Sequence, residues 1–420
     1  MSEQKLMNRW LAVIGAVLLQ LALGAIYSWS VFAKELQANG WLKSETQIPF
    51  SVSLVTFAIV MVWAGRNVQK IGTRKLAMTG GVVLGIGYIL TGALGAYNIW
   101  ITTIFFGVIG GAGIGLGYVI PVGVGMKWFP DKKGLITGLA MAGFGFGGAI
   151  WIGLAGTWAN LMTSLTINGV FILYGIIFAA MVILGGFFMV NPPDGYKPEG
   201  WTPPEVKEGS KASKTESLVN FEPKEILKTK QFLILFVTFI FSAGAGLMTI
   251  GLAKTYPEEA LIANGYSLAQ ASSIATMAIA VFYGIFNGTG RIVWGFISDK
   301  IGWKKSILFM AIIQGIMMIL FQWLCGFEAT LYLGISLIAF NFGANFTLFP
   351  AATAGNFGTD KISEKYGYMF LAYGIGGVVM PLLGGAMGDA DLFAFAFTLS
   401  GILTLICAFF VFMLKPAKKA

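Results

Sequence analysis

Twelve separate apolar runs, each long enough to cross a bilayer, constrain this chain more than any other feature. They lie at 10–33, 47–66, 76–96, 98–126, 134–157, 167–189, 231–253, 269–298, 305–324, 329–353, 366–388 and 392–414. A hydrocarbon core about 30 Å thick needs about 20 apolar helical residues to span it. With no water in that core, the backbone must bond to itself, and a helix does so within one segment. A soluble fold of 420 residues, 56% of them hydrophobic and 11% charged, has nowhere to put this surface. The expected fold is therefore an all-α membrane protein with twelve transmembrane helices and bilayer lipid as its surroundings. The first run follows Lys5 and Arg9 like a signal peptide, but it shows no small-residue cleavage site. It reads as a retained span.

The basic residues orient the chain. If the N-terminus is cytoplasmic, the outer loops carry only Lys34, Lys43 and Lys254. Every other lysine and arginine except Arg291 then falls on the inner side, as the positive-inside rule requires. Both termini are expected in the cytoplasm, and the protein in the cell membrane. This sidedness accounts for the net charge of +9, so the charge does not point to nucleic acid.

Between 190 and 230, Pro192, Pro193, Pro198, Pro203 and Pro204 break regular structure, and lysines alternate with acids. This reads as a cytoplasmic linker (191–230) with a surface helix near Pro223–Lys230. It divides an N-terminal six-helix half (1–190) from a C-terminal one (231–420). The halves repeat a loop: Gly65 to Lys75 reads GRNVQKIGTRK, and Gly295 to Lys305 reads GFISDKIGWKK.

Several chemistries are excluded by composition. There is no histidine, which removes His metal sites, His relays and His-based catalysis together. Cys325 and Cys407 have no metal-ligand spacing and read as buried free thiols. No nucleophile–base pair suggests an enzyme, and no cofactor or metal is expected. The glycine-rich runs at 107–125, 138–150 and 373–388 lie inside apolar segments, where they favour close helix packing rather than phosphate binding.

One full charge sits inside an apolar run. Arg291 lies eight residues before Asp299, about 12 Å inside the end of its segment. That depth costs at least about 2.5–3.5 kcal/mol. Asn287, four residues earlier, shares its helical face. Every acid falls in a loop or at a segment end, so no internal counter-ion is expected. The charge is then best matched by a cargo: a guanidinium presents a planar fork that fits a carboxylate bidentately. A cationic drug would want a buried acid, and a sugar needs no arginine. Tyr27, Tyr118, Asn341, Phe342, Asn345, Phe346 and Tyr373 fall at similar depth, although residues of these types often serve packing alone.

The repeated loop resembles that of the major facilitator superfamily, with Gln69 where the pattern has an acid. This implies two parallel six-helix halves around a midplane site. GAIYSWSVFA (24–33), KWFPDKKGLITG (127–138), EILKTKQF (225–232), FNGTGRIVWGFISDKIG (286–302) and LFPAATAGNFG (348–358) resemble the oxalate–formate antiporter family, which adjoins the monocarboxylate transporters. That resemblance implies Arg291 as carboxylate ligand and Tyr27, Tyr118, Phe342 and Phe346 as cavity lining. Tyr373 stands where the oxalate transporter has a second cation. One fixed charge suits a monoanion, since a dianion leaves charge uncompensated in a low-dielectric site. The expected function is secondary transport of a lactate, pyruvate or formate type anion by a monomer working as a proton symporter. Exchange of one carboxylate for another, or a passive small-anion channel, are the alternatives. Animal monocarboxylate transporters carry an acid where Asn287 stands, so the proton would have to travel with the substrate.

Overall fold

A computed structural model describes residues 7–129, 133–156, 158–193, 195–198, 221–358 and 361–415. Most of the linker and the centre of the KWFPDKK motif lie outside the described residues. Among the described residues, twelve helices are long and apolar enough to cross a membrane. They are span 1 (Arg9–Ala38), span 2 (Lys43–Ile71), span 3 (Thr73–Leu94), span 4 (Ile99–Gly125), span 5 (Gly138–Ala155) and span 6 (Leu161–Phe187), then span 7 (Lys230–Leu252), span 8 (Leu268–Ile301), span 9 (Trp303–Leu324), span 10 (Glu328–Phe357), span 11 (Glu364–Asp389) and span 12 (Phe393–Met413). Their outer surface carries bare apolar side chains such as Ile14, Trp100, Leu184 and Phe412. This is the surface expected where lipid, not water, is the solvent.

The two sets of six pack in the same way. Span 1 lies on span 5 as span 7 lies on span 11; span 2 on span 4 as span 8 on span 10; span 3 on span 6 as span 9 on span 12. The most extensive packing between the sets is span 2 with span 11 and span 5 with span 8, with smaller contacts of span 1 with span 7 and span 5 with span 10. The loop repeat has a backbone cause. Gly72 and Gly302 end spans 2 and 8 with φ of 93° and 85°, a conformation that glycine adopts without a Cβ penalty.

Short-range chemistry shapes the inner spans. Span 1 is interrupted by a 3₁₀ stretch, Gly24–Ser28, which carries Tyr27. Span 4 contains a π-helical stretch at Thr102–Gly110 and span 8 one at Ala278–Tyr283. Beside these, glycines let helices nearly touch. A Cβ on Gly24 would collide with the Phe144 backbone, and one on Gly343 with the Asn287 carbonyl.

The linker helix expected near Pro223–Lys230 is a single turn, Pro223–Ile226. Thr229 stops it, because its hydroxyl accepts from Phe232 N at 3.1 Å and so caps the start of span 7.

Candidate functional site

Span 8 crosses span 5 and span 10 at its glycines. A Cβ on Gly145 would lie 2.8 Å from Gly288 N, and one on Gly290 would strike the Phe340 carbonyl. These approaches hold the Asn287–Arg291 face against span 5 on one side and span 10 on the other.

Arg291 is 0% exposed. Its Nε donates to Asn287 Oδ1 at 3.2 Å. The guanidinium carbon lies 4.1 Å from the ring centre of Phe346 and 5.6 Å from that of Phe144. Hydrogen bonds to a charged group contribute about 1.5–3 kcal/mol, and a desolvated cation–π contact about 2 kcal/mol. Both stabilise the cation, but neither provides an acceptor for its fork. Nη1 and Nη2 are buried without a hydrogen-bond partner, and among the described residues Arg291 forms no ion pair.

Tyrosines surround the fork. The Tyr27 and Tyr118 hydroxyls lie close enough to interact electrostatically with the guanidinium. The Tyr27 hydroxyl is 3.4 Å from that of Tyr373. The Tyr118 hydroxyl and Asn287 Nδ2 are buried and unpartnered. The Phe342 ring meets Tyr27 edge-on at 5.6 Å, and the Phe346 ring meets Tyr373 at 5.5 Å. Arg291, Asn287, Tyr27, Tyr118, Phe342, Phe346 and Tyr373 thus fall in one cluster, drawn from spans 1, 4, 8, 10 and 11. Asn345 accepts from the Ser242 hydroxyl at 2.5 Å, and Asn341 Nδ2 donates to the Leu337 carbonyl of its own helix, while Asn341 Oδ1 is buried without a partner.

The sequence model of the Major Facilitator Superfamily matches residues 9–282 and 255–420. The chain belongs to the Major Facilitator Superfamily. It is 28% identical over 380 residues to the uncharacterised MFS-type transporter YhjX of Escherichia coli strain K12, covering 88% of this chain and 86% of that one. It is 28% identical over 424 residues to the oxalate:formate antiporter of Oxalobacter formigenes, covering 98% and 94%. It is 25% identical over 453 residues to apicoplast pyruvate carrier 1 of Toxoplasma gondii, covering 86% and 81%. This facilitator is a multi-pass membrane transporter, not an enzyme.

The facilitator's cluster is closed at both ends. On the face carrying Arg9 and Met413, Arg66 of span 2 pairs with Glu364 of span 11 at 3.3 Å and also bonds the Tyr368 hydroxyl. The loop repeat therefore contributes a cross-link through Arg66, while Gln69 and Asp299 are exposed. On the opposite face, Lys34 pairs with Glu258 at 3.0 Å and Lys43 with Glu259 at 3.1 Å. There the Asp389 carboxylate accepts from Lys43 N and Ser44 N, so the end of span 11 caps the start of span 2.

Three features escaped the sequence. Phe144, in the GFGFGG run, faces Tyr27 at 5.1 Å and Tyr118 at 5.1 Å, and a glycine-rich stretch does not reveal which ring turns inward. Glu258, a span-end acid, is only 3% exposed, because the opposing helices meet over it. Lys365, which reads as a loop lysine, is buried; its ammonium donates to the Phe357 and Gly358 carbonyls at 2.8 and 3.2 Å. It serves the C-terminus of span 10, where a cation is favoured.

Proposed function

We propose that this facilitator carries small monocarboxylate anions of the lactate, pyruvate or formate type by alternating access. One observation carries the reading: a buried guanidinium with both terminal nitrogens unpartnered, beside an unpartnered tyrosine hydroxyl. Every free group there is a donor except the hydroxyl oxygens, so the matching ligand is rich in acceptors and negatively charged. Arg291 would take the carboxylate on its fork. Asn287, Tyr27 and Tyr118 would bond the oxygens, while Phe342, Phe346 and Tyr373 limit the size of the tail. Two relatives, an oxalate:formate antiporter and a pyruvate carrier, support the carboxylate class. The single cation in the cluster favours one negative charge over two.

Two halves, 1–190 and 231–420, would rock about this cluster, with the linker and both termini in the cytoplasm. The working unit is a monomer. Proton symport would move the proton with the carboxylate, since among the described residues no acid pairs with Arg291. The same observation supports a second reading, carboxylate exchange, which needs no proton.

Counterflow of radiolabelled lactate, pyruvate, formate and oxalate into proteoliposomes is the test. Saturable exchange of a monocarboxylate ahead of oxalate is expected. Oxalate exchanging better than every monocarboxylate, or flux without counterflow, overturns it. Alkalinisation of the outer medium during lactate influx into vesicles with an empty lumen identifies symport.

A further inference from the structure

The three lysines assigned to the outer side, Lys34, Lys43 and Lys254, converge on the face opposite Arg9 and Met413. Two are committed. Lys43 bonds Glu259, Asp391 and the Gly388 carbonyl, and Lys34 bonds Glu258. Lys254 makes no side-chain hydrogen bond or ion pair among the described residues. It lines a cavity of about 460 Å3 together with Lys34, Glu35, Asn160, Thr163 and Thr276. Glu35 is already engaged, its carboxylate accepting from Asn39 and Tyr97 at 3.3 and 3.5 Å. Burial holds the Lys254 ammonium below the ordinary lysine value, against the pull of Glu258 and Glu35, and Lys34 adds to the lowering.

The cavity's position gives this cation a use. Its wall is built by the ends of spans 1, 5, 6 and 8. Of these, spans 1, 5 and 8 also carry Tyr27, Phe144 and Arg291. Lys34 is seven residues beyond Tyr27 and Thr276 fifteen before Arg291, so the cavity stands about 10–22 Å above the guanidinium along these helices. Between the two lies the seam that must part for access.

We infer that this cavity is an external antechamber in which Lys254 captures an incoming small carboxylate before the outer closure opens onto Arg291. The inference rests on the carboxylate reading of Arg291 and on the cytoplasmic placement of the termini. Capture at the mouth raises the local anion concentration without altering the affinity of the inner site, and its effect falls with ionic strength.

The test is uptake of radiolabelled lactate, pyruvate and formate into intact cells making the full-length protein, with efflux from loaded cells as the opposite direction. Lys254→Gln is expected to raise the KM for uptake about three- to tenfold at low salt and to flatten its salt dependence. Its efflux KM and its carboxylate affinity in detergent stay at the wild-type values, and Lys254→Arg restores uptake. Lys70→Gln, a charge-matched change on the other face, leaves uptake as it was. Unchanged uptake KM and salt slope in Lys254→Gln overturn the antechamber alone. Equal losses of uptake, efflux and affinity also overturn it, because Lys254 then supports the fold or the central site. A wild-type protein that moves no carboxylate overturns this inference together with the reading of Arg291.

Discussion

At the residue scale the protein is governed by a charged side chain whose fork finds no acceptor among the described residues. Arg291 has its Nε bonded to Asn287 and its carbon against Phe346, yet its fork is unpartnered. Arg291→Ala removes the fork, and a truncated charge pair of this kind costs about 2–5 kcal/mol, roughly thirtyfold or more in affinity. Arg291→Lys keeps the charge but not the planar fork. Both variants are expected to lose counterflow while retaining the folded elution profile and melting temperature. Asn287→Asp is expected to act differently. Its new carboxylate, one turn from the guanidinium, supplies the counter-ion internally and competes with the cargo. The expected outcome is weaker carboxylate binding, measured by thermal shift, that recovers as the pH falls and the aspartate is neutralised. Arg291 stood out in the sequence because a charge in an apolar run is local information. That its neighbour would be Phe144 was not legible there, because a phenylalanine among glycines looks the same whether it faces lipid or the cluster.

Glycine contacts set the geometry at the element scale. Span 8 is pressed against span 10 where a Cβ on Gly343 would meet the Asn287 carbonyl, and a Cβ on Gly290 the Phe340 carbonyl. Backbone cannot move aside as a flexible side chain can, and overpacking of this kind costs typically about 1–3 kcal/mol. Gly343→Ala is therefore expected to lower the melting temperature and slow transport at least severalfold, by shifting the helix that holds Arg291. Gly295→Ala on the same span meets nothing within 4 Å and is expected to leave both unchanged. Equal behaviour of the two variants, measured by thermal unfolding and counterflow, would remove the crossing as the positioning element. The sequence marked these runs as close-packing stretches. Which glycine meets which helix depends on spans far apart in the chain, and no local pattern encodes that.

The whole molecule is held shut at two ends by unequal means. Arg66 and Glu364 are both substantially exposed, at 44% and 33%, and such pairs contribute about 0–1 kcal/mol. Glu258 is 3% exposed and its partner Lys34 30%; a buried carboxylate that loses its partner is strongly destabilised. Lys43 and Asp389 add further bonds at that end. The closure opposite the termini is thus the stronger of the two. Accessibility of a cysteine at Ser30, buried four residues inward of Lys34 on span 1, measures the difference. Cys325 and Cys407 are buried and contribute little background. Glu258→Gln is expected to raise labelling of Ser30→Cys by an impermeant thiol reagent several-fold from the side opposite the termini, and Glu364→Gln to leave it unchanged or lower it. The reverse pattern would show that the gating charges are assigned to the wrong ends.

The sequence by itself determined the class, the span count, the loop repeat and the one charge that chemistry must answer. All four follow from local physics: the length of apolar runs, the cost of ions in hydrocarbon, and glycine's freedom at positive φ. Tertiary structure alone decided that Tyr27, Tyr118, Phe342, Phe346 and Tyr373 meet around Arg291. It alone placed Glu258 in a buried ion pair, Lys365 on helix carbonyls and Lys254 uncommitted at the mouth of a cavity. Those outcomes depend on which helices lie side by side. That is settled by glycine-mediated approaches between segments hundreds of residues apart, whose partners the chain order does not reveal.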